Sequence, residues 1–480
     1  METRRDSPHI VDTIRAETAT LRDRIAVTRG DRNVTYTGLL DEVSRIRDLL
    51  ATKLGIEKHS RVALLYEDSI EYIILALALL DTGAVMVPIS PSLSLMEFDT
   101  LLERIQINHV ISDRSIDTLS RSGEIADTAM VYTVNPEIRL FDDPDMADPA
   151  FIRFSSGTTG ASKGVLLTHP AIIDRTDAAD ERLQITADDT VAWFLSMSYH
   201  FVVTILLFLR RGARIVLCGD EFPKGAAKAF QKHPPTFVYA SPFHFSFLTQ
   251  SEDFSADMLE DVRLAVSTAV ALDRGTADAF RDKFQIGLSQ AYGIIEVGLP
   301  FINDRTDDQY IDSVGTIPPS YRLHLEDKDE KGRGRILLQG KGMFDAYVSP
   351  FQKRGEWFDT GDIGEIQNGY LFIRGRSKNV INFNGMKIFP EEVEQAVSEF
   401  EGIREVRVSP RAHRLYGQLP VAEYTTAEGA DQIDTAELRR FLRTRLDLYK
   451  IPKDFIPADH IPKTPSGKIK RGKQGDQHLQ

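Results

Sequence analysis

Phe151-Ile152-Arg153-Phe154-Ser155-Ser156-Gly157-Thr158-Thr159-Gly160-Ala161-Ser162-Lys163-Gly164-Val165-Leu166-Leu167 sets a run of small hydroxyl and glycine residues between two largely apolar, strand-like runs. Glycines and short hydroxyl side chains let backbone N–H groups close around phosphate oxygens, and a lysine adds positive charge. The stretch reads as a phosphate cradle, and the ligand it suggests is a nucleotide. In isolation such a loop is as often a solvated turn. The Walker pattern does not apply: counting from Gly157, Ser162 stands where the second glycine belongs and Gly164 where Ser or Thr belongs.

Around the cradle, short apolar runs alternate with helix-like ones: Val62 to Tyr66, Ile70 to Leu80, Val85 to Pro88, Leu95 to Arg104, His109 to Ile111. This alternation predicts parallel α/β units, and the theme returns at Ala213 to Cys218, Thr236 to Tyr239, Val262 to Ser267 and Gly287 to Tyr292. From Asp327 to Gly334 the chain turns charged and turn-like, then strand-like pieces run to Arg374, predicting a β-rich subdomain. A segment of about 100 residues after Gly375 has the size of a small α+β domain. The expected organisation is 1–375 as a large α/β domain and 376–480 as a second one.

Composition bounds the function class. With 480 residues and 42% hydrophobic content the chain buries a large core. Net charge is −13; from Arg374 onward 19 Lys and Arg face 15 Asp and Glu, which leaves −17 before that point. Nucleic acid is a poor partner for so acidic a body. A mildly basic last segment suits an acidic carrier protein or phosphates, although a solvated charged face gives the same pattern. The aliphatic runs Tyr72 to Leu80 and Phe201 to Leu209 are too short to span a bilayer, and the one cysteine, Cys218, lies in a strand-like run. A cytoplasmic protein without membrane insertion is expected.

Four further stretches follow the cradle in order: Tyr292-Gly293-Ile294-Ile295-Glu296; Trp357-Phe358-Asp359-Thr360-Gly361-Asp362; Gly375-Arg376-Ser377-Lys378-Asn379 leading to Asn384-Gly385; and Pro462-Lys463-Thr464-Pro465-Ser466-Gly467-Lys468. Together with the cradle they resemble the adenylate-forming superfamily, which includes acyl- and aryl-CoA ligases, peptide-synthetase adenylation domains and luciferases. The resemblance implies a large N-terminal domain with a mobile C-terminal lid. It implies activation of a carboxylic acid by ATP to acyl-AMP with release of pyrophosphate, then transfer to a pantetheine thiol of CoA or an acyl carrier protein.

Site roles are carried over by that resemblance. Ser155, Ser156, Gly157, Thr158, Thr159, Gly160 and Lys163 hold the phosphates, with Thr158 close to the chemistry. Tyr292 and Gly293 meet adenine, Ala269 belongs to the same nucleotide site, and Glu296 holds Mg²⁺. Asp362 and Arg376 reach the ribose, an acid being suited to a cis-diol because its two oxygens accept. Lys468 bridges carboxylate and α-phosphate, Lys378 is the hinge, and Asn384 with Gly385 borders the pantetheine channel. Ile295 departs from the usual threonine, whose hydroxyl meets the α-phosphate.

The acid itself is expected to be fatty or aryl. In peptide-synthetase domains an Asp in the stretch matching Leu195 to Thr204 pairs with the substrate ammonium, and no acid stands here. An unpaired ammonium in an apolar pocket costs several kcal/mol. Tyr199, His200, Phe201, Tyr239, Phe243, Ile294 and Ile295 are the candidate pocket lining. A non-catalytic adenylate- or acyl-binding protein is the alternative, motivated by Ile295 and by Ser162, which stands where the family usually has an apolar residue or proline.

Overall fold

The computed structural model describes residues 8–91, 93–125, 128–138, 141, 146, 148–155, 163–219, 222–383, 386–413, 417–427, 433–463 and 469–471. The chain forms two compact units, one of residues 1–322 and 339–358, the other of 323–338 and 359–480. Residues 323–338 and 359–375, which the sequence reading groups with the N-terminal region, belong to the second unit. The cause is strand pairing across the chain: Gly334–Gly340 lies between Tyr321–Glu326 and Phe358–Gln367 in one sheet.

The first unit carries two sheets. In one, the strands Arg61–Leu65, Val85–Ile89 and His109–Ser112 run parallel, and Pro149–Ser155 joins them beside Val85–Ile89. In the other, Ile25–Arg29, Arg214–Leu217, Thr190–Trp193, Phe237–Ala240, Leu264–Ser267 and Leu288–Ile294 form a parallel series. These strands are four to seven residues long and mostly buried on both faces, so they read as short apolar runs. The helix Ile70–Thr82 between them is apolar almost all round, and nearly every residue of it is buried. Ser69 caps it by accepting from Tyr72 N, and Gly83 stops it in the left-handed region at φ +81°. Cys218 is buried and donates to Val216 O.

The cradle's flanks are the hairpin strands Pro149–Ser155 and Lys163–Thr168, paired antiparallel with Ser155 opposite Lys163. Residues 156–162 lie outside the described residues, so Ser156, Gly157, Thr158, Thr159 and Gly160 are placed by sequence alone. Strand Ala346–Val348 adds to the free edge of Lys163–Thr168, with Tyr347 opposite Val165. Helix His169–Leu183 follows, capped by Thr168 with Pro170 in its first turn.

In the second unit, Phe358–Gln367 and Tyr370–Arg376 form a hairpin around Asn368-Gly369. Both turn residues have positive φ, +51° and +84°, the requirement of a type I′ turn and the reason Asn-Gly stands there. That turn fixes the register as far as Gly364 opposite Ile373; a one-residue bulge at Arg374 then shifts it, which brings Asp362 opposite Arg376. The last layer has the antiparallel pair Ile403–His413 and Gly417–Thr426, with Ile381–Phe383, Met386–Ile388 and Asp454–Pro457 beside it. Helices Pro390–Ser398 and Thr435–Leu442 cover it, and Ile381, Val393, Val397, Val408, Ala422 and Leu438 form its core. Among the described residues no helix is long and apolar enough to cross a membrane.

Candidate active site

Glu296 sits in a tight turn after strand Leu288–Ile294, closed by Val297 N donating to Ile294 O at 3.1 Å. Its carbonyl accepts from Phe344 N at 2.8 Å. Gly293, in the strand just before this turn, is obligatory because a Cβ would stand 2.2 Å from Gly298 O. The Tyr347 phenol donates to Glu296 Oε1 at 3.4 Å, and Lys163 Nζ lies 4.5 Å from the centre of the Tyr347 ring. Burial, and then the nearby Glu296 carboxylate, push the Tyr347 phenol up, so it stays a proton donor. The lysine at the end of the cradle is thereby joined through Tyr347 to the carboxylate at Glu296. Sequence reasoning missed Tyr347, which lies in a three-residue strand far along the chain.

Tyr292 is half-buried, its ring 6.1 Å from that of Phe301. Ala269 adopts φ +74°, a left-handed conformation that costs a non-glycine residue about 1–2 kcal/mol. Its surroundings hold it there: the preceding Thr268 shares a hydrogen bond with the Tyr239 phenol, and Leu272 N donates to Gln290 Oε1 at 2.7 Å. Strain kept in place by neighbouring contacts is characteristic of binding sites.

The stretch singled out as the acid motif is a one-turn helix, Met197–His200, running into the π-helical turn Phe201–Ile205. π turns cost hydrogen-bond geometry and concentrate at functional sites. Tyr199 and His200 are half-buried, as are Ile294 and Ile295. His200 lies edge-on to Trp193 and Tyr239, at 6.0 and 6.1 Å. Phe201 and Tyr239, however, are each 1% exposed and belong to the packed core, Tyr239 stacking on Trp193 at 5.6 Å. Phe243 is 60% exposed, in contact with Phe247.

Two charged groups missed from sequence support this motif from beneath. Asp68 accepts from Met197 N at 2.9 Å. Arg153 donates from Nη1 to Tyr199 O at 2.9 Å, and its guanidinium lies 4.7 Å from the centre of the Tyr199 ring. For Arg153 the available signal is a lone charge within an apolar strand, whereas Asp68 stands beside Glu67 in the loop before Ile70 and carries no such mark. Burial raises Asp68 to about 7. Because that value lies above the unfolded one, the folded chain binds the extra proton between about pH 4 and 7, and stability falls as pH rises through that window. Asp68→Asn keeps an acceptor for Met197 N without the charge. It is expected to stabilise the first unit by on the order of 1–2 kcal/mol at pH 8 and by nearly nothing near pH 4. Denaturant midpoints measured across that range check it; a gain of equal size at both ends would remove the ionisation argument.

In the second unit Asp362 is 3% exposed and pairs with Arg376, Nε to Oδ1 at 2.6 Å. Asp359 accepts from Gly361 N at 2.8 Å, as a turn acid does. Lys378 is exposed in the short turn Ser377–Asn379, which Ser377 Oγ ties to Gly361 O at 3.1 Å. Asn384, Gly385 and Lys468 lie outside the described residues. The flanks of 464–468 are fixed: Lys463 pairs with Ile469, Lys470 N donates to Pro462 O at 2.8 Å, and Arg471 pairs with Glu394 at 2.7 Å.

The AMP-binding enzyme family matches residues 14–348, and the AMP-binding enzyme C-terminal domain matches 392–468. The chain is 27% identical over 480 residues to 2-succinylbenzoate–CoA ligase of Listeria monocytogenes, covering 95% of this chain and 99% of that protein. It is 26% identical to a putative acyl–CoA ligase of Bacillus subtilis, with 93% and 94% covered. Among solved structures, o-succinylbenzoate CoA synthetase of Bacillus subtilis with its acyl-adenylate intermediate superposes with a TM-score of 0.82. The identity there is 21%, over 97% of this chain and 98% of that one. ATP-bound MatB of Rhodopseudomonas palustris gives a TM-score of 0.81 at 22% identity, over 96% and 97%. These likenesses match the large α/β domain and small α+β domain expected from the motifs.

Proposed function

The chain belongs to the AMP-binding enzyme family, and from that premise we propose that its site activates a fatty or aryl carboxylic acid with ATP and passes the acyl group to a thiol. It is an AMP-forming acid–thiol ligase with CoA as acceptor. The observation that carries the reading is the linkage of Lys163, Tyr347 and Glu296 at the end of the phosphate cradle. It gathers a cation, a proton donor and a carboxylate where a nucleotide triphosphate would lie.

Activation sets a carboxylate oxygen against the α-phosphorus of ATP while pyrophosphate leaves. Two anions must be held together, so donors fixed in advance give the rate. In this reading Ser155 to Lys163 hold the departing phosphates, Tyr292, Gly293 and Ala269 border adenine, and Asp362 with Arg376 take the ribose. Lys468 bridges the reacting groups. Glu296 suits Mg²⁺: it is one hard, half-buried carboxylate, and no group of three or more His, Cys, Asp or Glu is assembled among the described residues. Mg²⁺ needs only one or two carboxylates beside phosphate oxygens, whose charge it offsets.

Transfer follows in the same proposal by rotation of residues 376–480 about Lys378, which brings Asn384 and Gly385 alongside the pantetheine arm. A phosphopantetheinyl carrier protein is the second acceptor it accommodates, and residence in the cytoplasm belongs to the same proposal. The acid motif holds no carboxylate for an ammonium, which supports acids other than α-amino acids. A purely binding role is not favoured, since the carboxylate, lysine and ribose pair are all retained. Acid-dependent pyrophosphate release across fatty, aryl and amino acids tests the reading; release by none of them, or by amino acids alone, would overturn it.

A further inference from the structure

Arg153 is the one charged residue of strand Pro149–Ser155, and it shares a face with Phe151 of the packed core. Nη1 is satisfied by Tyr199 O, but Nε is buried with no hydrogen-bond partner among the described residues. The Tyr72 phenol, itself fully buried, has no hydrogen-bond partner among them either. Arg153 interacts electrostatically with both Tyr72 and Glu296. Burial lowers its pKa, yet a guanidinium so placed remains a cation at neutral pH.

Holding one carbonyl does not require a charge. A neutral donor such as glutamine would serve Tyr199 O without the desolvation cost of a guanidinium, or an N–H left unpaired. A cation that holds Tyr199 O and feels the charge of Glu296 becomes useful when an anion arrives near both. The proposed reaction assembles such an anion there, at the carboxyl–phosphate centre. Ile295, the residue before Glu296, offers only carbon, where the family resemblance implies a threonine hydroxyl on the α-phosphate. The site is short of one donor and holds one unused buried donor.

We infer that Arg153 donates to an oxygen of the α-phosphate during acid activation, taking over the contact that Ile295 does not make. The assignment rests on the reading of the site given above. Arg153 then serves two ends at once. One nitrogen fixes Tyr199 and the acid motif, and the rest of the guanidinium meets the charge that grows on the phosphate, without reorganisation at the moment of reaction.

Arg153→Met in the full chain, alone and combined with Ile295→Thr, tests this. Calorimetric titration is expected to show AMP bound about tenfold more weakly by Arg153→Met, as for loss of a charge-assisted bond, with adenosine affinity within about twofold of the parent. Acid-dependent pyrophosphate exchange should fall about 100-fold. Ile295→Thr should accelerate the Arg153→Met background at least about five times more than it accelerates the parent, because the two contacts substitute for each other. Equal loss of AMP and adenosine would make Arg153 a merely structural group. Unchanged AMP affinity, or the same effect of threonine in both backgrounds, would also overturn the inference. A parent chain that binds neither AMP nor ATP would remove the nucleotide reading itself, and this inference with it.

Discussion

Lys468→Ala is expected to lower acid-dependent pyrophosphate release by about 10²–10³-fold, the scale seen when one donor aimed at developing charge is removed. The reaction must hold a carboxylate against a phosphate, and a bridging ammonium offsets repulsion that grows as the two close. The substitution should leave the local framework standing. Its supports are the Lys463–Ile469 pairing and the Arg471–Glu394 ion pair, neither of which involves the side chain at 468. Attack of CoA on a supplied acyl adenylate should therefore survive. Measuring both half-reactions separately decides the matter. Wild-type pyrophosphate release would sink the role, and equal loss in both halves would mean damage to the fold instead.

The parts of the fold legible in sequence are those governed by local patterning. The parallel strands announce themselves because both faces are buried, so Val62 to Tyr66 and Val85 to Pro88 are continuous apolar runs. Helix Ile70–Thr82 is framed by Ser69 and Gly83, signals that lie in the sequence itself. The division of the chain is different in kind. The charged run Asp327 to Gly334 marks a reversal between strands Tyr321–Glu326 and Gly334–Gly340, with Asp327 and Gly332 at positive φ. Which unit those strands join depends on pairing with segments beyond residue 358, and such nonlocal pairing leaves no local trace.

The same distinction governs the site. Motif residues such as Glu296 and Asp362 are readable because the chemistry demands particular side chains at fixed spacing. Their partners are not. Tyr347 reaches Glu296 only because Ala346–Val348 pairs with Lys163–Thr168, and Asp68 reaches Met197 N only through tertiary packing. Reading Phe201 and Tyr239 as pocket lining exceeds what the sequence supports: aromatic residues beside a motif serve the core as readily as a ligand, and these two are 1% exposed.

Glu296→Gln is expected to reduce adenylation by about 100-fold at limiting Mg²⁺, with much of the loss recovered as the metal concentration rises. The change exchanges an anionic oxygen for a neutral one of nearly the same shape. Tyr347 can still donate to the remaining carbonyl oxygen, and the Glu296 main-chain contact with Phe344 N is untouched. Position is therefore kept while the hard negative ligand is lost, and a neutral amide binds Mg²⁺ far less well than a carboxylate. Affinity for AMP measured without metal should stay close to that of the parent, since neither adenine nor ribose meets this group in the proposed arrangement. The informative quantity is the metal dependence. If the variant shows the parent's Mg²⁺ profile with a uniformly lower rate, Glu296 acts through the Tyr347–Lys163 linkage to order the cradle, and the metal is held by other groups.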